Sequence, residues 1–171
     1  SYDEAGNNTE IQYPTGGKIK YTYDKAGKVT SEKESSLAEI NYSYDAAGNL
    51  AEEQQKEKSS KYTYDKTGRL LSETTAKGST TSYEYDKNGN IISVIDPLKR
   101  KTGYRYDAEG NLIEEIDAKG NSAKSAYDEE GNQTATENRM GEEMRYTYDK
   151  APAPKTQREE ASPTGTTSWI S

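Results

Sequence analysis

The dipeptide Tyr-Asp recurs at Tyr2, Tyr23, Tyr44, Tyr64, Tyr85, Tyr106, Tyr127 and Tyr148, at successive intervals of 21, 21, 20, 21, 21, 21 and 21 residues. A fixed period of this length means that one supersecondary unit is laid down repeatedly. Each copy must then bury its surface mainly against its neighbours in sequence. This excludes a fold organised around one central core and makes the unit itself the first thing to solve.

Within the unit a second tyrosine stands two residues ahead of the first, at Tyr21, Tyr42, Tyr62, Tyr83, Tyr104 and Tyr146, with Ser125 as the exception. A spacing of two places both rings on one face of a strand, with Thr22, Ser43, Thr63, Glu84, Arg105 and Thr147 on the other. The expected aromatic ladder is Tyr21, Tyr23, Tyr42, Tyr44, Tyr62, Tyr64, Tyr83, Tyr85, Tyr104, Tyr106, Tyr127, Tyr146 and Tyr148. Three residues after the aspartate comes a glycine, giving the turn pairs Asp3 and Gly6, Asp24 and Gly27, Asp45 and Gly48, Asp65 and Gly68, Asp86 and Gly89, Asp107 and Gly110, and Asp128 and Gly131. Asp at the first corner of a type I turn accepts hydrogen bonds from the backbone that follows it, and Gly at the fourth takes up positive φ, so D-x-x-G reads as a hairpin loop with a bulge at the glycine.

A short aliphatic or β-branched run follows, such as Val29-Thr30, Leu70-Leu71, Ile91-Ile92 and Leu112-Ile113, and reads as the return strand. A second, looser turn is expected at Gly16-Gly17, Lys77-Gly78, Pro97-Leu98-Lys99, Lys119-Gly120 and Met140-Gly141, less constrained still near Ser35-Ser36 and Lys58-Ser59, which lack the glycine. The predicted fold is all-β: tandem hairpins over residues 1–150 pairing edge to edge into an antiparallel sheet. The tight D-x-x-G reversal favours hairpins over a parallel solenoid. Residues 151–171 lose the pattern and turn rich in Pro, Ser and Thr, as in a linker; Trp169 and Ile170 at its end suit an arm that covers an open sheet edge.

Composition limits the chemistry. Hydrophobic residues make up 29% of the chain, Phe is absent, and the main apolar mass is 15 Tyr, so a thick core is not expected. A net charge of −7 with no clustered Lys or Arg argues against a nucleic-acid partner. No stretch reaches the length of a membrane-spanning helix, and no membrane insertion is expected. The absence of Cys and His removes thiolate chemistry, the commonest general base and the usual nitrogen ligand of zinc. Asp107, Glu109 and Asn111 bring oxygens near one turn, yet a calcium site gathers several carboxylates, so turn formation is the better account. Glu52-Glu53 and Glu114-Glu115 read as a solvated charged face rather than a glycosidase pair. Asn7, Asn41 and Asn132 head Asn-x-Ser/Thr patterns expected by chance in this composition. No nucleophile elbow or phosphate loop appears, so no catalytic residue, metal or cofactor is expected. Exposed tyrosines also suit stacking on sugar rings, which keeps a surface glycan among the partners considered.

The unit Y-x-Y-D-x-x-G-[NKR]-[LIV], as in Tyr83 to Ile91, resembles the YD repeat of the Rhs proteins, whose relatives include bacterial wall-associated proteins, cocoon-forming components of insecticidal toxin complexes and animal teneurins. The resemblance covers about residues 1–150. It implies a spiralling antiparallel sheet that forms a hollow shell, a secreted or bacterial cell-surface location, further YD repeats as partners, and a toxin cargo that this chain does not contain. Asp96-Pro97-Leu98-Lys99-Arg100 echoes only the start of the family's D-P-x-G-L motif and sits in an ordinary inter-repeat turn, so no cleavage residue is carried over. A subunit of an extracellular fibre and a glycan-binding adhesion module are the alternatives from other functional classes.

Overall fold

A computed structural model describes residues 1–148 and the strand at 154–158. The fold is all-β, with antiparallel pairing and strand order equal to sequence order. The strands are β1 (Glu10–Gln12), β2 (Lys18–Tyr23), β3 (Val29–Glu34), β4 (Ile40–Tyr44), β5 (Leu50–Gln55), β6 (Lys58–Tyr64), β7 (Leu70–Thr74) and β8 (Thr80–Tyr85), followed by β9 (Ile91–Ile95), β10 (Lys101–Tyr106), β11 (Leu112–Ile116), β12 (Ser122–Tyr127), β13 (Gln133–Glu137), β14 (Glu143–Tyr148) and β15 (Pro154–Arg158). The chain forms two compact units, Ser1–Tyr83 and Glu84–Ser171, each built from the same hairpins.

The first turns of the seven repeats beginning at Asp3 to Asp128 have one geometry. At Asp24 the backbone N–H donates to Lys28 O at 2.9 Å, and Gly27 N–H donates to Asp24 O at 3.0 Å. This is a type I turn closed by a left-handed residue, and Gly27 supplies φ of 78° without the steric cost a Cβ would bring. The same bonds recur at Asp3, Asp45, Asp65, Asp86, Asp107 and Asp128.

The second turns are tighter than their sequences suggest. Those beginning at Tyr13, Thr75, Asp96, Asp117 and Asn138 carry the same pair of bonds as the first turns. Asp96, Asp117 and Asn138 even repeat the side-chain acceptor role, so both ends of these hairpins are pinned alike. Where glycine is missing, Lys99 takes φ of 63°. Gln55 pairs with Lys58 across a two-residue loop in which Lys56 is left-handed, the shortest of the described second turns rather than a loose one. That loop also accounts for the single 20-residue interval. The missing residue comes out of the loop, so β5 and β6 keep their facing pairs and every side chain keeps its face.

Five of the first hairpins, β2–β3, β4–β5, β6–β7, β10–β11 and β12–β13, contain a further irregularity just after the turn. Tyr23 faces Val29 but Thr22 faces Ser31, leaving Thr30 as an extra residue. The register slips in the same way past Ala51, Leu71, Ile113 and Thr134. Thr22 Oγ1 lies 2.8 Å from both Thr30 Oγ1 and Ser31 Oγ, so two consecutive residues share one face. This β-bulge shifts the phase of the return strand.

No apolar side chain is fully buried among the described residues, and the buried polar ones are Ser31 at 7% and Ser93 at 1% exposure. The sheet is therefore held by cross-strand pairs and backbone bonds rather than by a packed second layer.

Candidate functional site

The structural feature that recurs most regularly is the join between one hairpin and the next. A bulge disrupts the ladder locally and leaves a carbonyl that the neighbouring strand does not serve. The tyrosine of the next Tyr-Asp pair reaches that carbonyl. Tyr23 Oη donates to Asn8 O at 2.6 Å, Tyr44 to Val29 O at 2.8 Å, Tyr106 to Ile91 O at 2.9 Å, Tyr127 to Leu112 O at 3.1 Å and Tyr148 to Gln133 O at 2.8 Å. Each acceptor lies 15 residues upstream of its donor, and Val29, Leu112 and Gln133 immediately precede a bulged position. Tyr64, which follows the short interval, has no hydroxyl partner among the described residues. In the first unit the Lys28 ammonium adds a second tie, lying 4.9 Å from the Tyr44 ring centroid and donating to Gly48 O.

The aspartates beside Tyr23, Tyr44, Tyr106 and Tyr127 each accept backbone N–H groups of the turn that follows. Asp107 Oδ1 accepts from Glu109 N at 3.1 Å and Asn111 N at 2.8 Å, while Oδ2 accepts from Asn111 Nδ2 at 2.9 Å. The Asn side chain at the fifth turn position, joined by backbone N–H groups, holds the carboxyls of Asp3, Asp45, Asp107 and Asp128 below the usual aspartate range. Arg69 takes the place of Asn beside Asp65, its Nε 2.6 Å from Oδ2. Glu109 and Asn111 thus point N–H donors at Asp107, an arrangement opposite to that of a cation site. Among the described residues no group of three or more acidic side chains is placed to hold a metal ion.

The bulge also decides what lies on the tyrosine face. It brings Glu32 opposite Tyr21, Glu53 opposite Tyr42, Glu73 opposite Tyr62 and Glu115 opposite Tyr104. Glu52 and Glu114 face Ser43 and Arg105 on the other side. The adjacent carboxylates of Glu52-Glu53 and Glu114-Glu115 therefore lie on opposite faces and form no pair. Strict alternation instead assigns residues 31, 52, 72 and 114 to that position, which would put Glu52 and Glu114 among the rings and keep Glu32, Glu53, Glu73 and Glu115 off them. The trace of the bulge was the run of two apolar residues in a one-faced strand, as at Leu70-Leu71 and Leu112-Ile113. Trp169 and Ile170 lie outside the described residues.

Comparison with known proteins fits this arrangement of turn, bulge and ring. The family model of the teneurin YD-shell matches residues 1–120. The chain belongs to the teneurin YD-shell family. Among solved structures, the YD-shell chain resembles the Tc holotoxin pore of Photorhabdus luminescens at 21% identity with a TM-score of 0.65, covering 80% of this chain and 9% of that one. It also resembles a TcdB2-TccC3-Cdc42 crystal structure at 15% identity and a TM-score of 0.66, covering 92% of this chain and 11% of that one. A crystal structure of TcdB2-TccC3 gives a TM-score of 0.63 at 15% identity, with 92% and 12% covered. The YD-shell chain thus spans about a tenth of the length of the solved chains it matches. No curated protein sequence matches it.

Proposed function

We propose that this chain is a non-enzymatic wall segment of a secreted or cell-surface bacterial YD-repeat protein, contributing to a β-sheet shell associated with toxin encapsulation or delivery. The observation that carries the reading is the tyrosine-to-carbonyl join, which recurs at Tyr23, Tyr44, Tyr106, Tyr127 and Tyr148 and ties one hairpin to the one before it. The likeness of the fold to chains of Tc toxin complexes supports the toxin context. A sheet in which no apolar side chain is fully buried among the described residues suits a wall. In this role the Asp and Gly of each turn set the rim, the tyrosines join the repeats, and further YD repeats are the immediate partners. In this reading residues 1–150 form the array and residues 151–171 a linker or edge-pairing arm.

A fibre subunit is the second reading. Open strands at the ends of the sheet favour it, with Trp169 and Ile170 as the proposed connecting residues. Negative-stain electron microscopy of the purified chain over a range of concentrations separates the two. Short isolated particles at every concentration are expected for a wall segment; fibres with a regular axial repeat would replace that reading with assembly.

A further inference from the structure

Besides the joins, the first unit carries a row of acidic side chains that make no ion pair among the described residues. Across the tyrosine face run the facing pairs Tyr21 and Glu32, Tyr42 and Glu53, and Tyr62 and Glu73. On the far side of each glutamate stands a neutral residue, Ile40, Ser60 and Thr81 in turn. Glu32 and Glu53 make no ion pair among the described residues, and the single side-chain bond shown for Glu73 is from Tyr83 Oη at 2.9 Å. All three are half-buried. Alternation puts Lys20, Lys33 and Lys61 on the opposite face. The cations that reach the tyrosine face lie at its margins: Lys28 is held over Tyr44, and Lys58 stands at the far end of β6. The second unit treats the equivalent position differently, because Glu115 is paired with Arg139 and Thr136 replaces the next acid.

Half-buried carboxylates interleaved with aromatic rings suit one kind of occupant. A Lys or Arg side chain gains a charge-assisted bond at its tip and ring contact along its stem. Spacing narrows the choice. Successive glutamates stand two strands apart, about 9.6 Å at ~4.8 Å per strand. A polyproline-II segment rises about 9.3 Å per three-residue turn and presents every third side chain on one side.

We propose that the tyrosine face of residues 1–83 is a docking surface for an extended, cationic polypeptide segment whose Lys or Arg residues, three apart, seat on Glu32, Glu53 and Glu73 between the tyrosine rings. The surface raises the hydroxyl pKa of Tyr42, through burial first and then the charges of Glu32 and Glu53, which places both carboxylates in the field of one ring. The inference concerns a free face of the sheet and stands whether or not that sheet is part of a shell.

The test is fluorescence anisotropy of a labelled peptide of repeated Lys-Pro-Ser triplets titrated with the full chain at low salt. Binding is expected, with loss as ionic strength rises. The E32Q/E53Q/E73Q variant should bind about eightfold more weakly, roughly twofold for each half-exposed pair. The E4Q/E39Q/E57Q variant removes the same charge from exposed loops and should bind as the parent does. Equal weakening by both variants would reduce the effect to net charge and overturn the proposal, as would no binding by the parent. Amide shifts of the labelled parent with peptide supply a readout independent of the variants, expected along β2 to β7. Shifts confined elsewhere, or occupation of this row by a neutral oligosaccharide or a second copy of the chain in place of the peptide, would also overturn it.

Discussion

Replacing Tyr106 by Phe tests the inter-repeat join directly. The substitution leaves the ring and removes one hydroxyl, whose bond to Ile91 O is 2.9 Å long and partly buried. A hydrogen bond of this kind contributes about 1 kcal/mol net, and the carbonyl left without this donor adds to the loss, so about 1 to 2 kcal/mol is expected. With a urea m-value of about 2 kcal/mol/M, the midpoint falls by about 0.5 to 1 M. Tyr64→Phe is the internal control. Its ring occupies the equivalent strand position, but its hydroxyl has no partner among the described residues, and its midpoint should move by less than about 0.2 M. Native-state hydrogen exchange should locate the effect, with faster exchange in β9 to β11 for Tyr106→Phe. Equal midpoint shifts for the two variants would show that ring packing, not the hydroxyl, joins the repeats, and would refute the reasoning.

Asp107→Ala removes the acceptor of three N–H groups at one turn and should destabilise the protein by about 1 to 2 kcal/mol by urea titration, with Asp107→Asn recovering part of the loss. Lys99 holds a left-handed φ of 63°, so Lys99→Gly should raise the midpoint by the equivalent of about 0.5 to 1 kcal/mol, whereas Gly89→Ala, at φ of 95°, should lower it by about 1 kcal/mol or more. The turn carboxyls have lowered pKa values in the folded state, so their contribution is present above the unfolded aspartate value of about 3.9 and is lost as pH falls through the folded values. Circular dichroism melts should therefore show little change down to about pH 5 and a steep fall in midpoint below about pH 4, and a flat profile to pH 2 would contradict the turn assignments.

Local chemistry repeated at a fixed interval was enough to determine much of this protein. A period of about 21 residues required stacked units. Tyr-x-Tyr required a strand with one aromatic face, and Asp-x-x-Gly required a type I turn with a left-handed corner, because these depend on backbone sterics and bonds spanning four or five residues. The second turns carried the same information in part, since Asp96, Asp117 and Asn138 head the pattern again, but variation at Gln55–Lys58 and around Leu37 hid it.

What only the tertiary structure decided follows from the bulge. One extra residue at positions 30, 51, 71, 113 and 134 changes the phase of each return strand, and a phase is a relation between two strands that neither sequence states alone. It moves Glu32, Glu53 and Glu73 onto the tyrosine face and takes Glu52 and Glu114 off it. It also frees the carbonyl that the next tyrosine occupies. The sequence placed the rings, and pairing between strands settled what those rings touch.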